Sequence, residues 1–144
     1  ALSRGLGDVY KRQILNRTMN NVTDFIQLNM NFLNDIQSYH WQTESYSEHE
    51  TTGEYYEKFN KLNDEFVETW QGKSGTRIKF SAELRPGIMN YADNSQVKGE
   101  VQKQVARLNK IAQNPKVQGQ MDLESILEDM LLATNQLLFH LTLK

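Results

Sequence analysis

The chain contains no cysteine. Disulfides, thiolate metal sites and cysteine nucleophiles are all excluded. It has only two prolines in 144 residues, Pro86 and Pro115. So few prolines, beside long stretches of polar–apolar periodicity, favour an all-α fold. No apolar run approaches the roughly 18 residues that a membrane span needs, so no membrane partner is expected. The N-terminus carries basic residues without the apolar stretch of a secretory signal, which makes a cytoplasmic location the expectation. The sequons Asn16-Arg17-Thr18 and Asn21-Val22-Thr23 then read as chance.

The first 13 residues differ from the rest. Asp8-Val9-Tyr10-Lys11-Arg12-Gln13 resembles the translation of a transposon-end adapter used in DNA library preparation. Residues 1–13 are accordingly read as an artefactual or disordered tail, and residues 14–144 as one four-helix domain. Without the tail, 13 basic residues face 17 acidic ones, a net charge of −4. Such a domain is a poor partner for a phosphate backbone, and no lysine–arginine cluster interleaved with aromatics is present, so nucleic-acid binding is not expected.

Four amphipathic segments follow. The first spans about 20–41, with Val22, Phe25, Ile26, Leu33, Ile36 and His40 on one stripe, Asn29 interrupting it, and Thr18 or Asn20 as cap. The second spans about 47–70, with Ser47 as N-cap, a stripe of Tyr56, Phe59, Asn63, Phe66, Val67 and Trp70, and a stop at Gln71-Gly72-Lys73. The third covers about 95–113 and ends at Asn114-Pro115. The fourth starts at Asp122 as N-cap, runs to about 143, and is the most apolar. Its apolar surface is wide enough to be buried on more than one side, which points to oligomer contacts. About twenty residues, 74–94, separate the second and third segments, too many for a tight turn. Two helices, a long crossover, then two helices is the ferritin-like pattern, an all-α four-helix bundle.

The chemistry sits near the first connection. His40 falls seven residues after Leu33 and four after Ile36, on the buried face of the first helix. On the second helix His49, Gly53, Asn60, Asp64, Glu57 and Glu68 form one polar strip at about 100° per residue. Asp64 and Glu68 stand one turn apart, so their carboxylates can converge. Two imidazoles and two carboxylates suit Fe(II) and tolerate Fe(III), with zinc as an alternative occupant.

The run His40-Trp41-Gln42-Thr43, then His49-Glu50, then Asp64-Glu65-Phe66-Val67-Glu68 resembles the Dps-like branch of the ferritin-like proteins. The resemblance implies that His40 and His49 come from one subunit and Asp64 and Glu68 from its two-fold mate. It further implies an iron site at that interface, oxidation of Fe(II) by peroxide or dioxygen, and ferric iron stored inside a homo-oligomeric shell. Three departures stand out. Gly53 occupies the place of a carboxylate one turn after the second histidine; the spacing between the histidines is shorter than in the family; and no basic tail for DNA is present beyond residues 1–13. The general Glu-x-x-His ferritin signature is absent too. The competing reading is a non-enzymatic helical interaction or structural protein that retains the fold with a decayed site.

Overall fold

The computed structural model describes residues 21–81, 90–91 and 93–143. Residues 1–13, the segment read as a tail, lie outside them, as do the caps Thr18 and Asn20. Among the described residues all regular structure is helical: α1 (Val22–Gln42), α2 (Tyr46–Ser74), α3 (Asn94–Ile111) and α4 (Met121–His140). No described helix is long and apolar enough to cross a membrane.

Local chemistry sets the helix boundaries. Asn21 caps α1 by accepting the Asp24 N–H at 3.2 Å. Ser45, not Ser47, caps α2, accepting the Glu48 N–H at 3.2 Å; the helix starts earlier because Thr43 already has extended backbone, leaving Ser45 at the half-turned position. α2 ends at Gly75, whose φ of 72° favours a residue without Cβ. Asp93 caps α3 through the Gln96 N–H at 3.1 Å, and that bond together with the Ser95 hydroxyl holds its carboxyl below the ordinary range. Asp122 does not cap α4: Gln120 stands at that position without a side-chain cap bond. Asp122 lies in the first turn, where it pairs with Lys73 at 3.3 Å, and Glu124 reaches back to the Gly119 N–H.

α1 packs on α2 and α3, and α4 packs on the same two. The core between them is aliphatic and aromatic. Phe25 meets Phe66 edge-on at 5.5 Å, and Phe32 meets Phe59 edge-on at 6.2 Å. On α2 the buried ridge is Tyr55, Phe59, Leu62 and Phe66. Tyr56, Val67 and Trp70, expected in the core, only flank it, because a ridge spaced 4, 3 and 4 starting from Tyr55 turns them toward the rim.

Asn29, the polar interruption of α1, is fully buried. Its amide donates to Asn63 Oδ1 at 3.0 Å and its oxygen accepts from Gln104 Nε2 at 2.8 Å. Gln104 in turn accepts from Arg107 Nε at 2.8 Å, and the guanidinium carbon lies 5.9 Å from the Phe32 ring centre. Burial holds Arg107 below its ordinary pKa. Among the described residues, the hydrogen-bonded network at the bundle centre is therefore one of neutral amides and the Arg107 guanidinium.

One end of the bundle is tied by Glu48. This buried carboxylate accepts from the Tyr39 hydroxyl, from Thr43 Oγ1 at 2.9 Å, and from the Asn94 amide. Asn94 also donates to the Leu141 carbonyl at 3.1 Å. The end of α1, the starts of α2 and α3, and the end of α4 thus meet at one carboxylate. Two described residues beyond α2 touch α1: Gln27 exchanges hydrogen bonds with the Ser81 backbone at 2.8 and 2.9 Å, and Gln42 donates to Asn90 at 2.7 Å.

Candidate functional site

His40 stands in the last turn of α1 and His49 in the first turn of α2, and the three-residue link Thr43–Ser45 folds them together. Their imidazoles stack face to face, with centroids 3.9 Å apart and planes 14° from parallel. Each ring reaches across to the other residue's backbone: His40 Nδ1 lies 2.6 Å from the His49 carbonyl, and His49 Nδ1 lies 2.7 Å from the His40 carbonyl. A carbonyl can only accept, so both Nδ1 atoms carry the proton. Neutral imidazoles with Nδ1 protonated present Nε2 as a lone pair, and among the described residues no hydrogen bond reaches either Nε2. This is the tautomer a metal-binding histidine adopts when its other nitrogen is held by a carbonyl.

The seat of His40 is built by α2. The buried Thr52 hydroxyl donates to the Glu48 carbonyl at 2.7 Å and stands 3.2 Å from His40 Nδ1. Gly53 supplies the room: a Cβ at this position would sit 2.9 Å from His40 Cε1 and 3.3 Å from Nδ1. Gly53 is therefore the floor on which the imidazole rests. His40 is half-buried rather than on the core face, since the stack draws it toward the α1–α2 groove. That groove is lined by Gln37, His40, Trp41, Gly53, Tyr56 and Glu57 and encloses about 230 Å³. Trp41 on its rim is 69 % exposed.

Asp64 and Glu68 are exposed on α2. Helical rise puts them about 22 and 28 Å along the axis from His49. Within one chain the four residues do not converge, and among the described residues no group of three or more histidines and carboxylates is arranged to hold a metal ion. A site that uses all four needs a second copy of the chain.

The stack also limits what the two histidines can do. An imidazole binds a transition metal at about 2.0–2.1 Å along an in-plane lone pair. Two nearly parallel rings 3.9 Å apart cannot both aim such lone pairs at one ion. In this conformation the two Nε2 atoms do not chelate one ion.

Sequence reasoning missed the residues that hold this corner. Neither Glu48 nor Tyr39 belonged to the expected stripes. Burial, with the Glu48 carboxylate beside it, pushes the Tyr39 phenol up to about 12. The third histidine, His140, accepts or donates at 2.8 Å with Thr51 across α4 and α2.

A family model described as a family of unknown function (DUF5856) matches residues 40–141. No curated protein and no solved structure matches the chain.

Proposed function

The chain belongs to the DUF5856 family, a family of unknown function, and we propose that it is a Dps-like iron-handling protein with a ferritin-like fold. The observation that carries this reading is the paired histidine corner, with both Nδ1 protons committed to carbonyls and both Nε2 lone pairs left for ligands. The helix arrangement supports it as well. α1 ends, α2 starts, α3 starts and α4 ends at the Glu48 end, an up-down-down-up order that requires the chain to travel the length of the bundle between α2 and α3. The contacts of Ser81 near the start of α1 and of Asn90 at its end agree with that path.

In this reading Fe(II) is a substrate. His40 and His49 of one copy donate nitrogen; Asp64 and Glu68 of a second copy donate oxygen and offset the ion's charge. Because the stacked rings do not chelate one ion, each histidine receives a separate Fe(II). Two Fe(II) ions supply the two electrons that break the O–O bond of one peroxide; protons from solvent complete two waters, and the resulting Fe(III) is held by the carboxylates and hydrolyses to ferric oxyhydroxide. Dioxygen is the alternative oxidant. The exposed groove of Gln37, Trp41, Tyr56 and Glu57 is the face a second copy would cover.

The second reading, a non-enzymatic helical interaction protein, is favoured by the same stack. A reciprocal histidine–carbonyl clasp with a glycine floor is also a means of fixing the α1–α2 turn. Anaerobic Fe(II) titration, followed by stopped-flow absorbance on adding peroxide or air, separates the two. Stoichiometric binding with accelerated oxidation, abolished in His49→Ala and in Asp64→Ala, supports iron handling. No binding above buffer overturns it and leaves the clasp reading.

A further inference from the structure

The outward face of α2 is charged along its length. Glu50, Glu54, Glu57, Lys61, Asp64 and Glu68 follow one another at steps of four and three, all exposed, with exposed Lys58 beside them. In the middle of this stripe the charge inverts: two acids, Glu54 and Glu57, are followed at mirrored spacing by two bases, Lys58 and Lys61. Glu54–Lys58 and Glu57–Lys61 each have the spacing and the acid-first order of an ion pair along one helix. Neither pair closes: among the described residues no ion pair and no side-chain hydrogen bond involves any of the four.

We propose that this face is a homotypic interface, α2 against the antiparallel α2 of a second copy, with the two-fold axis between Glu57 and Lys58. Charge selects this register. About that axis Glu57 meets Lys58 of the partner subunit and Glu54 meets the partner's Lys61; the two-fold repeats both contacts, so every one of these charges finds its opposite. A parallel in-register pair would set each of them, and Asp64 and Glu68 as well, against its own copy, a like-charge contact that costs binding. Glu50 falls level with Glu65 of the partner subunit at the ends of the contact, about 11 Å from the axis, where solvent screens the like charges. Exposed ion pairs alone contribute little; exposed Trp41 and half-buried Tyr56, in the groove between α1 and α2, add apolar area.

The register comes from charge alone and does not rest on the iron reading. It supplies the second copy which that reading requires. His49 lies about 13 Å before the axis, and Asp64 and Glu68 about 10 and 16 Å after it. The partner's Asp64 and the partner's Glu68 therefore bracket the level of His49.

Sedimentation of the metal-free chain, with chelator present, tests the pairing apart from iron. The wild type is expected to sediment as a pair or a multiple of pairs, with a mass that falls as salt rises. Glu54→Lys opposes like charge at the partner's Lys61, and Lys61→Glu does so at the partner's Glu54. Each variant, at unchanged helical circular dichroism, is expected to lower the assembly mass about twofold or more. In an equal mixture of the two variants, a mixed pair has opposite charge at both of these contacts, so the mixture is expected to regain the wild-type mass. Pairs closed along a single helix give no such recovery, because mixing leaves the charges within each chain unchanged. A monomeric wild type, a mass insensitive to salt, an unchanged mass for either variant, or a mixture that stays dissociated each overturns the proposal. None of these outcomes involves iron, so a failed Fe(II) titration leaves them standing.

Discussion

Replacing Gly53 by alanine opposes two effects of known sign. In an exposed helix interior, glycine to alanine stabilises by about 1 kcal/mol. At Gly53 the added Cβ would lie 2.9 Å from His40 Cε1, so the imidazole must swing away. That swing loses the 2.6 Å bond to the His49 carbonyl and the 3.9 Å stack. A net hydrogen bond contributes about 0.5–1.5 kcal/mol and an aromatic pair about as much. The loss is about 1–3 kcal/mol, and Gly53→Ala is expected to be neutral to about 2 kcal/mol destabilised. Gly99 in α3 is the control, because its Cβ would meet nothing within 4 Å. Gly99→Ala is expected to gain up to about 1 kcal/mol. Urea midpoints read both. A double-mutant cycle isolates the cause: once His40→Ala removes the ring, Gly53→Ala should stabilise as Gly99→Ala does. If Gly53→Ala stabilises the wild-type chain as much as Gly99→Ala, Gly53 is not the floor of the histidine corner.

Other outcomes follow from the same contacts. Glu48→Ala strands the Tyr39 hydroxyl, the Thr43 hydroxyl and the Asn94 amide and should cost about 3 kcal/mol in urea unfolding, with Glu48→Gln costing less because it keeps one acceptor and the shape. Alkaline stability tests the buried phenols. Burial raises Tyr39 to about 12 and raises Tyr55 and Tyr91 as well. Between pH 10 and 12 the unfolded chain releases the Tyr39 proton while the folded chain keeps it. The contribution of Tyr39 is complete below pH 10 and lost as pH rises through about 12. Urea midpoints should fall over that window, and less steeply in Tyr39→Phe; an identical slope would show that Tyr39 titrates alike in both states.

Much of the fold was legible because helix periodicity is local. Four amphipathic segments, their order and the interval between the second and third follow from spacing and turn residues alone. The misplaced boundaries have local causes of a finer grain: Ser45 and Ser47 are both good caps, and only the extended backbone at Thr43 decides between them. Asn29 read as a flaw in a stripe because its partners, Asn63 and Gln104, lie 34 and 75 residues away. Tyr39 and Glu48 were unreadable for the same reason, since their roles exist only once four helix ends meet. At the histidine corner the residues were found but the geometry was not. Gly53 looked like a missing ligand, whereas its lack of a side chain is what lets His40 lie against α2. The distance between the histidines and the Asp64–Glu68 pair follows from helical rise, and it makes a second copy of the chain a requirement of the iron reading.

Subunit complementation tests that requirement most directly. One chain carries His40→Ala and His49→Ala, the other Asp64→Ala and Glu68→Ala, and each alone should neither bind nor oxidise Fe(II) under the stopped-flow assay. Mixed and reassembled in equal amounts, half of the two-fold pairs contain one intact site of two, so about one quarter of the wild-type amplitude should return. A return near that value supports an inter-subunit iron site built from these four residues. No recovery, with mixed pairs demonstrated by mass, would contradict it.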